Sequence, residues 1–222
     1  MSRLLSLLLF LPFLFACNSD TRQSSGSDTS FTAHDFDTPT GDGYEYRITC
    51  WGVADIELED SYTIVEEKVG KSNLTTDSLF LEGMFEKLFT SLWKGTEKEI
   101  KIFWKEKQAP FRTIESIEVS QPNSAYQFAN GIKIGSTLSE MEKLNGKPIS
   151  LYGFGWDYGG TFISFNEGKL AGDIPCFGGV FQLKEPGKDG VSELLGDHQI
   201  SSNHMAFANA VAELKVIRLV RK

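Results

Sequence analysis

The chain closes on ELKVIRLVRK, residues 213–222. In an extended strand successive side chains point to opposite faces. Leu214, Val216 and Val220 then share one face, and Ile217 and Leu219 share the other. Both faces are apolar, and a strand covered on both sides belongs inside a sheet. The fold is therefore expected to be organised around strands. KEIKIFWKE (98–106) sets Ile100, Ile102 and Trp104 against Glu99, Lys101 and Lys105, the pattern of a strand with one wet face. RTIESIEVS (112–120) reads as another, with Ala109-Pro110 marking the turn before it. YRITCWGVADIEL (46–58) and SYTIVEEKV (61–69) are rich in β-branched and aromatic residues and predict two more.

Two helices are expected. LTTDSLFLEGMFEKLFTSLW (74–93) places Leu81, Phe85, Leu88 and Leu92 at helical spacing, with Met84, Phe89 and Trp93 widening the stripe. That stripe predicts a helix packed on a sheet. In GIKIGSTLSEMEKLNGKP (131–148), Ser136 and Thr137 precede Glu140 as in a capping box. Leu138, Met141 and Leu144 form its apolar face, Asn145 and Gly146 can end it, and Pro148 forbids continuation. ISLYGF, GTFISFNEG and CFGGVFQLK then predict three strands.

Aligning Val69-Gly70 with Ile134-Gly135 suggests two related units, residues 44–128 and 129–222, each a short helix on antiparallel strands. The expected class is α+β. Ile134-Gly135-Ser136-Thr137 followed by Leu144-Asn145-Gly146-Lys147-Pro148 resembles the pattern of the BamE-like (OmlA) small outer-membrane lipoproteins. That resemblance implies two helices on a three-stranded antiparallel sheet, and a role in protein assemblies rather than catalysis. It covers about fifteen residues; Ser136 stands where that family has Met, and Asn145 is an insertion. GFGWDYGG after it resembles uncharacterised two-unit envelope lipoproteins.

The N-terminus, MSRLLSLLLFLPFLFAC, has Arg3 ahead of an apolar run from Leu4 to Phe15, too short for a comfortable permanent span and laid out as a secretory signal over 1–16. Leu14-Phe15-Ala16-Cys17 resembles the lipobox of bacterial lipoproteins. The resemblance implies cleavage before Cys17 and its acylation, an anchor in which each buried methylene contributes about 0.8 kcal/mol. Asn18 in place of Asp is compatible with outer-membrane sorting. Residues 17–43 hold the lipidated Cys and a Ser, Thr, Asp and Gly tract with almost no apolar pattern, expected to be a disordered tether spanning roughly 25–30 Å.

Cleavage after residue 16 leaves 21 basic and 30 acidic side chains, formally −9. Phosphate backbones are bound through Lys and Arg neutralisation, so a nucleic-acid partner is excluded, and membrane contact falls to the acyl anchor. Cys50 and Cys176 remain, either bridged or as two separate buried thiols. A bridge would close a loop of more than a hundred residues and contribute roughly 4–5 kcal/mol in the chain-entropy model.

Catalytic patterns are missing from the sequence: no G-x-S-x-G, no H-E-x-x-H, no G-x-x-x-x-G-K-[ST], and no C-x-x-C. His34 sits in the tether; His198 and His204 sit in a loop-like stretch beside Asp197, with no metal-ligand spacing. No cofactor or metal is expected, and the chain reads as a non-enzyme. LYGFGWDYGG (151–160) is the candidate surface. If extended, Tyr152, Phe154, Trp156 and Tyr158 share a face, while Asp157, Gly159 and Gly160 favour a turn. Either the four rings pack under the second helix, or Trp156, Asp157 and Tyr158 project as a recognition tip. The expected function is a lipid-anchored binding or scaffold module whose partner is an envelope protein or small ligand. The alternatives are a glycan or peptidoglycan binder using this stretch, and a hydrolase with an unrecognised carboxylate site.

Overall fold

A computed structural model describes residues 45–81 and 83–221. The signal, the lipobox with Cys17 and the tether lie outside the described residues. β1 (Arg47–Ile48), β2 (Gly52–Val53) and β3 (Ile56–Glu57) come first, then α1 (Tyr62–Val69), β4 (Leu74–Leu81), β5 (Met84–Leu92), β6 (Ile100–Trp104), β7 (Ile114–Val119) and β8 (Gln127–Phe128). α2 (Leu138–Asn145), β9 (Ser150–Tyr152), β10 (Phe162–Ser164), α3 (Lys169–Asp173), β11 (Phe177–Leu183), β12 (Gln199–Ser201) and β13 (Ala212–Val220) complete the order. The fold is mixed α+β, mostly sheet with few helices.

A six-stranded antiparallel sheet runs β11-β13-β7-β6-β5-β4, and two smaller sheets run β3-β2-β1-β8 and β10-β9-β12. β4 to β7 come from one side of the 128/129 boundary and β11 and β13 from the other, so the two halves share the large sheet. Val69-Gly70 and Ile134-Gly135 hold different places: Gly70, at φ +81°, ends α1, whereas Gly135 precedes α2.

β13 lies inside the sheet between β11 and β7. Its two-faced apolar pattern has a local cause. Leu214 pairs with Phe181 and Val216 with Val180, so exposed Lys215 is an extra residue, a β-bulge. The bulge resets the alternation, and Ala212, Leu214, Ile217 and Leu219 are all buried while Val216 and Val220 are only half-buried.

Two expected elements are different elements in the structure. SYTIVEEKV is helix α1: Ser61 caps it by accepting from the Ile64 N–H at 3.4 Å, and only Val65 is buried along it. Its β-branched run is outweighed by Ser61, by the Glu-Glu-Lys that follows and by Gly70. In place of the expected helix, Leu74–Leu81 and Met84–Leu92 pair as the β4–β5 hairpin, with Leu74 opposite Leu92 and Asp77 opposite Phe89. Gly83, at φ +79°, sits in the turn, a position that favours glycine in a hairpin and penalises it inside a helix. The stripe divides accordingly: Leu92 is fully buried, while Phe85 and Met84 stand in solvent.

β6 and β7 form as strands as expected, and Ile100, Ile102, Trp104, Ile114, Ile117 and Val119 all join the core, but the expected wet face of β6 is not there: Phe103 is buried too. Trp104 stacks on Phe111 at 5.5 Å and donates its indole N–H to Thr90 Oγ1 at 2.9 Å. Glu99 is not on a wet face. It is buried, accepting from Ser91 Oγ (3.1 Å), the Gly95 N–H (3.0 Å) and Gln121 Nε2 (2.5 Å).

α2 has the expected reciprocal cap between Thr137 and Glu140, and Gly146 at φ +70° ends it. Its apolar face is Leu138 and Met141; Leu144 is exposed and Asn145 is buried in its place. Asn145 Nδ2 donates to the Lys147 and Phe165 carbonyls, both at 2.8 Å, and its Oδ1 accepts from the Leu170 N–H at 3.1 Å. One side chain thus ties α2 to the segment entering α3. Cys50 and Cys176 are joined by a disulfide with Cα atoms 5.3 Å apart. It fastens the β1–β2 turn to the start of β11.

Candidate functional site

The aromatic stretch leaves β9, whose Tyr152 pairs with Gln199 of β12. It does not stay extended. Phe154 forms a bridge with Leu195: its N–H donates to the Leu194 carbonyl at 2.7 Å, and its carbonyl accepts from the Gly196 N–H at 2.8 Å. From Gly155 to Gly160 the chain turns back, closed by Gly159 N–H to the Trp156 carbonyl (2.9 Å) and Gly160 N–H to the Tyr152 carbonyl (3.1 Å).

The turn separates the four rings that a straight strand would have aligned. Phe154 is buried, edge-on to Phe207 at 6.4 Å. Tyr152 is 38% exposed and Tyr158 55%, with Trp156 between them half-buried. Tyr152 and Trp156 meet edge to face at 5.7 Å and 87°, and Trp156 and Tyr158 at 5.4 Å and 64°. Offset and T-shaped pairs of this kind are favoured by the ring quadrupoles. The indole N–H of Trp156 donates to the Gly153 carbonyl at 2.9 Å, so the central ring is fixed from below. The result is a three-ring surface ridge with one ring sent into the core.

Two glycines make the ridge possible through close approach. A Cβ on Gly153 would lie 2.5 Å from the Gly196 carbonyl oxygen. A Cβ on Gly160, at φ +73°, would lie 2.0 Å from the Phe181 carbonyl oxygen, and the Phe181 N–H donates to the Gly160 carbonyl at 2.8 Å. The turn is thereby pressed against β11. Asp157 is exposed in the turn, between Trp156 and Tyr158 in the sequence.

His198 and His204 have local structural roles. His204 caps the short 3-10 turn Met205–Ala208, its Nδ1 accepting from the Ala206 N–H at 3.2 Å, which leaves Nε2 to face Glu193 Oε2 at 3.6 Å. His198 Nε2 lies 3.2 Å from the Glu193 carbonyl oxygen. No group of three His, Cys, Asp or Glu side chains among the described residues is placed to hold a metal ion. No helix of the described residues is long and apolar enough to cross a membrane.

Sequence reasoning missed other exposed apolar groups. Trp51, beside the disulfide, is 74% exposed. Phe80, Met84 and Phe85 crown the β4–β5 hairpin, with Phe80 and Phe85 edge to face at 6.1 Å. Reading 74–93 as a helix hid the hairpin tip, although Gly83 was the available signal. No protein-family model matches the chain, and no curated protein or solved structure matches it.

Proposed function

We propose that the protein is a lipid-anchored, non-enzymatic binding or scaffold module of the bacterial cell envelope, and that it engages its partner through Tyr152, Trp156, Asp157 and Tyr158. The observation that carries this reading is the three-ring ridge, held in one geometry and left in solvent. Trp and Tyr are the residue types that anchor protein interfaces, and rings already fixed lose little entropy on binding. The N-terminal lipobox, rather than anything in the folded part, supports the anchor, with outer-membrane attachment and the acidic folded body held off by the tether. The BamE-like two-unit organisation belongs to this proposal. In its favour, α2 and the sheet β10-β9-β12 both lie within 129–222; it has to accommodate a large sheet drawn from both halves.

Asp157 favours a second reading of the same surface. An exposed carboxylate in the same turn as Trp156 and Tyr158 suits a glycan, whose hydroxyls donate to it while sugar faces stack on the rings. Two assays separate the readings. Recovery of a reproducible envelope protein on the wild-type chain, lost with Tyr158→Ala, supports a protein partner. Saturable change in tryptophan emission on adding muropeptides, also lost with Tyr158→Ala, supports a glycan. If neither response depends on Tyr158 or Trp156, the ridge is not the binding surface. Mass spectrometry of the protein extracted from membranes tests the anchor: an N-terminus other than acylated Cys17 removes that part of the proposal.

A further inference from the structure

A cleft of about 410 Å³ lies away from the aromatic ridge, lined among others by Glu45, Asp55, Lys68, Trp93, Lys98 and Tyr126. Five segments build it: the approach to β1, the turn between β2 and β3, the end of α1, the connection from β5 to β6, and the approach to β8. Trp93 and Ala54 both have positive φ, 49° and 50°. For a bulky residue such a backbone is strained, and the Trp93 carbonyl is pinned by the Thr96 hydroxyl at 2.8 Å and the Thr96 N–H at 3.1 Å. The kink turns the chain off β5 where the indole lines the cleft.

The charges in the cleft are unequally committed. Lys68 uses its ammonium on Asp60 Oδ2 (2.8 Å), Asp60 Oδ1 (3.0 Å) and the Asp55 carbonyl (2.7 Å). An ammonium has three protons, so Lys68 is fully engaged within the protein. Lys98 pairs with Glu45 and stands 5.5 Å from the centre of the Tyr46 ring. Its pKa is held up, chiefly by the hydrogen bond to Glu45 and then by Tyr46. Tyr126, whose ring tilts against Tyr46 at 5.8 Å, donates to the Lys98 carbonyl at 3.3 Å. Burial pushes that phenol up to about 12, so it stays neutral. The Asp55 carboxylate has no hydrogen bond or ion pair among the described residues. Glu45, Asp55 and Asp60 against Lys68 and Lys98 leave one negative charge over at a concave aromatic wall.

We propose that this cleft binds a small organic cation, an ammonium or guanidinium group on a short apolar body, with Asp55 and Glu45 taking the charge and the half-buried Trp93 taking the body. Lys98 already displays the same recognition within the chain, an ammonium set between a carboxylate and an aromatic face. Cations over aromatic rings gain from the ring quadrupole. The shared chemistry has two sources, a free amine or the basic side chain of a polypeptide.

Calorimetric titration of the full chain with propylammonium, propanol and propionate at matched ionic strength tests it. Propylammonium is expected to saturate one site, and the other two probes are not. Asp55→Asn is expected to weaken propylammonium by about tenfold. Lys98→Met is expected to tighten it, because it removes the internal competitor for Glu45; a merely structural role for these residues would give no tightening. An acetylated Lys tripeptide amide that binds as well as propylammonium identifies a polypeptide source, and one that fails while propylammonium binds identifies a free amine; both outcomes support cation recognition. Propylammonium binding no better than propanol overturns the proposal, as does an unchanged affinity in both variants.

Discussion

The aromatic turn at 155–160 and the tip of the β4–β5 hairpin both place large apolar side chains in solvent, but they are held by different means. In the turn, Trp156 is tied to the Gly153 carbonyl, and Gly153 and Gly160 are pressed against backbone from two other segments. At the hairpin tip, a Cβ added to Gly83 would meet nothing within 4 Å, and Phe80 and Phe85 touch across the strands. Fixed exposed rings make a recognition surface because their geometry is set before a partner arrives. An exposed cross-strand pair stabilises its own hairpin and specifies less. The contrast is one of support, since exposure is similar in the two places.

That contrast yields graded expectations. Gly160→Ala has the largest effect: it forces a Cβ to 2.0 Å from a carbonyl oxygen at positive φ, and a loss of about 3 kcal/mol or more is expected in denaturant unfolding. Gly83→Ala, also at positive φ but in open space, is expected to lose only about 1–2 kcal/mol. Equal losses at the two positions would erase the distinction between the regions. Phe85→Ala is expected to stay within about 0.5 kcal/mol, as for an exposed side chain, measured from the same unfolding midpoints.

The smallest expected effect is of pH on the hairpin. The hydrogen bond from Lys94, followed by that from the Ser78 N–H, holds the Asp77 carboxyl below its ordinary value of 3.8. A depressed carboxylate contributes stability above the unfolded pKa, and the contribution is lost as pH falls through the lower folded value. Both partners are surface groups, so the change is slight and screened by salt. Amide protection factors in β4, corrected for intrinsic exchange, are expected to decline in acid, and Asp77→Asn should abolish that decline. A decline that persists in Asp77→Asn belongs to other groups.

Much of the sheet was legible because local pattern and final environment agree. Ile100, Ile102 and Trp104 alternate in sequence and are buried in β6, and the Thr137–Glu140 cap follows from two residues three apart. The errors arose where a pattern had two causes. The spacing of Leu81, Phe85, Leu88 and Leu92 fits a helix, yet Thr75, Thr76 and Gly83 suit a hairpin whose outer end is free to expose Met84 and Phe85. Likewise the two-faced run in β13 comes from a bulge at Lys215, which no alternation rule anticipates. Within the candidate surface the turn chemistry of 157–160 was readable. The inward rotation of Phe154 was not, because it depends on Leu195 and Phe207, some forty to fifty residues away. The cleft at Trp93 was invisible for the same reason, since it needs five segments together.

The ridge is a binding surface only if Trp156 belongs to the surface rather than to the core. Denaturant unfolding of the protein with Trp156→Ala measures this. A half-buried ring with one hydrogen bond predicts a loss of about 1–2 kcal/mol with the fold retained. A loss of about 3–5 kcal/mol, the cost of deleting a fully buried aromatic, would contradict it and return the ridge to the core.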